Sequence, residues 1–198
     1  MSPLPTRPFH RLTAVAAASM LGLTAGAGLP DAQSIERYSM PAGSVALYDL
    51  AGRVTLEAAT GNEVVVEVTR GGTDGARLRV QQGPVGDWQT LRVVFPANHI
   101  VYDEPGTWGM QTQVGNDGRF DDEKLIRIPA ERHRVEISGR GPGLDAHADL
   151  YVRVPAGRTL ALFLAAGAAT VTNVDGNLRL SVGSASVTTR NTRGSLLV

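Results

Sequence analysis

The chain has 198 residues, 19 acidic and 19 basic side chains, and no cysteine. Balanced charge argues against nucleic acid or an anionic membrane as partner. The missing thiols exclude disulfides, thiolate metal sites, cysteine nucleophiles and a lipid-modified N-terminal cysteine.

Residues 1–27 have the layout of a secretory signal peptide. Arg7, His10 and Arg11 form a basic start, Leu12 to Leu23 an apolar run, and Ala25 to Ala27 a small-residue cleavage region. The run is shorter than the roughly 20 apolar residues of a spanning helix, and no later stretch approaches that length. The mature chain is expected to start near Gly28 and to sit outside the cytoplasm, in the periplasm, at the cell surface or secreted. Losing Arg7 and Arg11 takes the cations from 19 to 17 against 19 acids, a net of −2. Residues 28–198 suit a single domain with a core of its own. Aromatics are only 5% of the chain, so valine, leucine and alanine must build that core.

Residues 34–102 are strand-rich. Val45, Leu47 and Asp49 alternate with Ala46, Tyr48 and Leu50. Gly52 suggests a turn, after which Val54, Leu56 and Ala58 share a face. Val64, Val66 and Val68 follow, then Leu78 and Val80, then Leu91, Val93 and Phe95, stopped by Pro96. Period-two runs cut by Gly, Asn, Asp and Pro predict strands, not helices.

Residues 103–123 break the pattern and predict a long loop, either functional or disordered. Trp108 lies within it. An indole there either stacks on a sugar face or anchors a partner, or it folds back over the sheet edge. Helix formers cluster at Asp121 to Ile126, but Pro129 limits any helix to one or two turns.

Residues 124–198 return to strands, at Leu125 to Ile128 and Arg134 to Ile137, with a turn at Gly139 to Gly143. In the next run Asp145, His147 and Asp149 fall on one face, continued by Tyr151 and Arg153. Ala146, Ala148, Leu150, Val152 and Val154 take the other. A His-x-Asp pair at this spacing can supply half of a zinc or manganese site. The third ligand would have to come from His99 or His133, neither in a recognisable ligand spacing, so no metal or other cofactor is expected. The plainer reading is a solvated face. Trp108, Asp145, His147 and Asp149 remain the candidate ligand surface. No Gly-x-Ser-x-Gly nucleophile elbow is present. Carboxylates for glycan cleavage are too many to choose among, and Asn116 to Glu123 lacks the spacing of an EF-hand loop. No catalytic residue is assigned.

The chain closes on a repeat. Leu160, Leu162 and Leu164 recur 18 positions later as Leu178, Leu180 and Val182, and Leu196 starts a third copy. Gly167 to Val171 and Gly183 to Val187 sit between them as matching blocks. Short apolar runs at a fixed period, broken by glycine-rich turns, predict a β-solenoid. An antiparallel meander with two equal hairpins would have the same spacing. The predicted fold is all-β: N-terminal antiparallel strands leading into a short β-helix-like repeat. Apolar Leu196 to Val198, with no charge after Arg193, predict self-association through this edge into a homo-oligomer.

Pro41 to Val45, Gly52 to Thr55, Gly143 to Leu150 and Val154 to Gly157, followed by these repeats, resemble the bacterial putative-adhesin domains of unknown function. The resemblance spans most of residues 40–198. It implies an exported all-β protein with a β-helical second half and no established catalytic residues. The function expected is non-enzymatic surface adhesion or envelope scaffolding, with a cell-envelope component or a polysaccharide as partner. A secreted glycan-binding or glycan-cleaving enzyme is the alternative.

Overall fold

A computed structural model describes residues 34–41, 43–104, 109–122 and 131–198. The signal at 1–27, Trp108 and the strand expected at Leu125 to Ile128 lie outside them. The chain is all-β, with no α-helix among the described residues. The strands are β1 (Ile35–Met40), β2 (Ser44–Ala59), β3 (Val64–Gly71), β4 (Arg79–Val85), β5 (Trp88–Val94) and β6 (His99–Val101). They continue with β7 (Met110–Gly115), β8 (Arg132–Ser138), β9 (Leu144–Asp145), β10 (His147–Pro155), β11 (Arg158–Thr172), β12 (Gly176–Arg190) and β13 (Leu196–Leu197).

Antiparallel pairing occurs early in the chain, where β1 joins β3 and β4 joins β5. The strand β2 behaves differently. It runs parallel to β11 along nearly its whole length, with Val45 opposite Leu160 and Glu57 opposite Thr172. Its other edge is shared, the first part by β5 and the second by β10, both parallel. β12 then pairs parallel to β11, and β13 to β12. The early strand β2 thus lies between the late strands β10 and β11, beside the first strand of the repeat. Smaller strands form a second sheet in the order β7-β8-β6-β9.

Leu160 faces Leu178 and Thr172 faces Arg190, yet only residues 173–175 join β11 to β12. Three residues span at most about 10 Å, whereas a straight 15-residue strand is about 50 Å long. β11 must therefore bend round until its end lies beside its start. Three contacts repeat along the same offset. Asn191 donates from its side-chain amide to Asn173 Oδ1 at 3.2 Å, Ser195 from its hydroxyl to Asn177 Oδ1 at 2.9 Å, and the backbones of Asp175 and Arg193 form a parallel β-bridge. Asn173 and Asn191 both take left-handed backbone angles, a conformation asparagine tolerates. The glycine-led blocks that begin at Gly167 and Gly183, expected to match, do not lie side by side. Gly167 faces Ala185, Ala169 faces Val187 and Val171 faces Thr189, so the 18-residue register holds on both sides of the bend.

This register aligns apolar side chains in rows. Leu91, Leu47, Leu162 and Leu180 form one, and Val68, Leu150, Val54, Ala169 and Val187 another. All of these but Val187 are buried. Period-two alternation selects the face, and parallel register stacks like on like.

Gly52 does not end a strand as expected; β2 continues through it. A Cβ on Gly52 would lie 1.8 Å from the carbonyl oxygen of Ala148, and one on Gly167 would lie 1.9 Å from that of Gly52. β10, β2 and β11 therefore meet here backbone on backbone, with no room for a side chain. Gly167→Ala is expected to cost roughly 2–4 kcal/mol, read as a lowered urea midpoint. An unchanged midpoint would mean that the strands are not stacked at this bend.

Candidate functional site

On β10 the alternation holds as read from sequence. Ala148, Leu150, Val152 and Val154 are buried, while His147, Asp149, Tyr151 and Arg153 are partly exposed. Asp145 ends β9 just before. The structure does bring Asp145, His147 and Asp149 to one face, but each has local work. Thr73 donates to Asp145 Oδ2 from its backbone N–H at 3.2 Å and from its hydroxyl at 2.9 Å. The Asp74 N–H donates to the Asp145 carbonyl at 2.8 Å, and the Asp145 N–H donates back to Asp74 Oδ2 at 3.2 Å. Asp145 thereby clamps the turn that leaves β3. Asp149 Oδ1 accepts the backbone N–H of Arg53 at 2.9 Å, beside the Gly52 bend. His147 lies 5.3 Å from the Tyr102 ring, in a slot open because residue 71 is glycine; a Cβ there would be 2.2 Å from the imidazole Nε2. Among the described residues no three His, Asp or Glu side chains converge as a metal site.

Two other acids attract notice because they are fully enclosed. Asp49 is 0% exposed and its Oδ2 has no hydrogen-bond partner. Its Oδ1 accepts the Ala51 N–H at 3.4 Å. Burial pushes its pKa well above the usual carboxylate range, partly offset by backbone hydrogen bonds, with the charge of Asp149 adding to the rise. Sequence reasoning does not single out Asp49, although a signal is there. It holds the third place in the alternating row of Val45 and Leu47, where an interior apolar residue belongs.

Asp122 is the second, also 0% exposed. The Tyr48 hydroxyl donates to its Oδ2 at 3.0 Å, and Arg119 Nη1 approaches the same oxygen at 3.4 Å. Burial raises its pKa, and these two partners oppose the rise. Arg119 Nε also donates to Asp117 at 2.7 Å, and Arg92 reaches Asp117 at 3.5 Å. Between these polar contacts Phe120 sets its edge against Tyr48 and Phe163, which stack on each other with centroids 4.6 Å apart. Part of the stretch expected to be loop is therefore β7, and part is a latch. Residues 117–122 lie along the outer column made by Arg92, Tyr48, Phe163 and Ser181.

Chemically, these two groups have the raised pKa values of catalytic acids without the access. A general acid must come within hydrogen-bond reach of its substrate, and neither carboxyl meets solvent. Their perturbation is the consequence of packing, the structural alternative to a functional site.

No family model matches the chain, and no curated protein does. Two solved structures are loosely similar. One is a putative cell adhesion protein from Clostridium sporogenes ATCC 15579, at 5% identity, covering 81% of this chain and 99% of that one, with a TM-score of 0.29. Another is a putative adhesin from Bacteroides fragilis NCTC 9343, at 10% identity, covering 82% of this chain and 58% of that one, with a TM-score of 0.25. Similarity at this level carries neither fold nor function across; the link to adhesins stays loose.

Asp49 has a pH signature. Its folded pKa is raised, so between its unfolded value, near 3.9, and its folded value the native state binds more protons than the unfolded chain. Stability from this group therefore falls as pH rises through that window. Asp49→Asn removes the titration. The variant is expected to match the wild type near pH 3 and to exceed it by about 1–3 kcal/mol at pH 8, read from denaturant midpoints. A gap that does not change with pH would refute the assignment.

Proposed function

We propose that this protein is an exported, non-enzymatic β-solenoid module that serves surface adhesion or envelope scaffolding. The observation that carries the reading is the constant 18-residue offset between β11 and β12, with its stacked Asn173–Asn191 and Asn177–Ser195 contacts. That constant offset supports the solenoid reading, and solenoid stacks offer long rigid surfaces for binding. The non-enzymatic part is supported by how the acids are used. Asp145 and Asp149 hold backbone N–H groups, and Asp49 and Asp122 are enclosed. The signal-like residues 1–27 support a place outside the cytoplasm, with 28–198 as one mature domain. No helix among the described residues is long and apolar enough to cross a membrane.

The expected partner is an envelope component or a polysaccharide. The purified chain should co-sediment with isolated cell envelopes and release no sugar from a polysaccharide panel. Turnover abolished by one carboxylate substitution would replace this reading with the glycan-cleaving one.

The open side of the stack supports self-association. β13 covers only Leu178 and Arg179 of β12, and Leu196, Leu197 and Val198 are exposed. An unpaired apolar edge is a template for another strand. Sedimentation should show concentration-dependent association, weakened by Leu197→Lys. A monomer at high concentration in both proteins would end this part of the proposal.

A further inference from the structure

We infer that the outer face of the last coil, at Arg190 and Arg193, binds an acidic, carboxylate-bearing polysaccharide. This deepens the adhesion reading and rests on it, naming the class of glycan and its place of contact. Charge is unevenly spread along the chain. Residues 158–198 hold four arginines and one acid, Asp175, whereas residues 28–157 hold 13 cations and 18 acids. The fold turns this into a polarity in space, because β11, β12 and β13 stand together at one end of the nine-stranded sheet.

The four arginines are not used alike. The Arg158 guanidinium donates to the Asn62 carbonyl. Arg179 stands on the limb before the bend, with Leu197 opposite. Arg190 ends β12 and Arg193 follows in the turn beyond it, both exposed. Neither of these two guanidiniums has an ion-pair or hydrogen-bond partner among the described residues, unlike Arg37, Arg53, Arg70 and Arg153 on β1, β2, β3 and β10. Arg190 shares an outward row with Thr172 and Glu57. Adjacent strands lie about 4.8 Å apart, which puts Glu57 two strands and about 10 Å away. Glu57 also accepts the Tyr151 hydroxyl. Asp175 is closer, since its backbone bridges that of Arg193, yet the two side chains form no ion pair.

An anion arriving at this corner meets two unsatisfied guanidiniums and one opposing carboxylate. A guanidinium fork fits a carboxylate through two parallel charge-assisted bonds. The neighbouring outward row, Thr188, Thr170 and Thr55, adds hydroxyls in register on three strands. Hydroxyls of a sugar ring can exchange hydrogen bonds with them while its carboxylate meets the arginines. Cations beside a ladder of hydroxyls match a uronate-type polymer, which has both groups on each ring.

Isothermal titration of the full chain provides the test, with polygalacturonate as the acidic polymer and dextran as the neutral one. Polygalacturonate is expected to bind saturably, and more weakly as salt rises, while dextran does not bind. Arg190→Gln and Arg193→Gln should each weaken the binding up to about fivefold. Thr188→Val should weaken it as well, and Asp175→Asn should tighten it. Arg134→Gln removes an exposed arginine of β8, in the second sheet, and should change nothing. Urea midpoints equal to the wild type report intact folds in these variants. No binding of polygalacturonate overturns the inference, as does an equal loss from Arg134→Gln. Polyphosphate or phosphatidylglycerol vesicles bound as tightly as polygalacturonate would mean that charge alone is read, and would overturn it too. The adhesion reading is judged separately. Envelope co-sedimentation that persists without polygalacturonate binding defeats this site alone, and loss of co-sedimentation in the wild type defeats the reading beneath it.

Discussion

Backbone meets backbone at one bend, and the rest of the stack depends on it. The carbonyl of Ala148 abuts Gly52, and the carbonyl of Gly52 abuts Gly167. With a Cβ at either glycine the strands would separate, and the rows above and below would lose their register. Hydrogen bonds between strands are worth little individually against water. What they secure here is alignment, which lets Leu91, Leu47, Leu162 and Leu180 form one continuous buried row. Burial of such side chains contributes roughly 1.5–3 kcal/mol each, and it is available only while the bend stays closed.

The latch addresses the outer side of the same stack. A parallel sheet is normally covered on both faces. On one face the apolar rows cover each other; on the other, Tyr48 and Phe163 would stand bare without Phe120. Enclosing them brings Asp122 and Arg119 into the protein, where an ion pair is costly to desolvate. The Tyr48 hydroxyl offsets part of that cost by donating to Asp122, and burial together with the Asp122 charge raises the tyrosine's own pKa. Asp49 has no comparable partner on its Oδ2. Burial accordingly pushes its pKa well above the usual carboxylate range, the usual response of a buried carboxyl.

The face of β1, β3 and β10 shows the contrasting case of charges in water. Glu67 receives both Arg37 and Arg153, and Arg70 pairs with Glu36. The Tyr38 hydroxyl donates to Glu36 at 2.6 Å, and burial with that contact pushes its pKa up to about 12. Exposed pairs of this kind add little stability. They do engage the polar side chains of that face with one another.

Several features are legible in the amino-acid sequence alone. Period-two alternation places Asp145, His147 and Asp149 on one face of β10, and the 18-residue spacing of Leu160 and Leu178 anticipates their pairing. Alternation reports the face of a residue because the backbone itself sets that geometry. It does not report the neighbour, because a strand's N–H and C=O groups accept any partner that arrives in register. The insertion of β2 between β10 and β11, the use of residues 117–122 as a latch, and the burial of Asp49 are therefore decided only by tertiary packing. All three depend on contacts between residues far apart in the chain; local patterning is silent on the first two and marks only the face on which Asp49 lies.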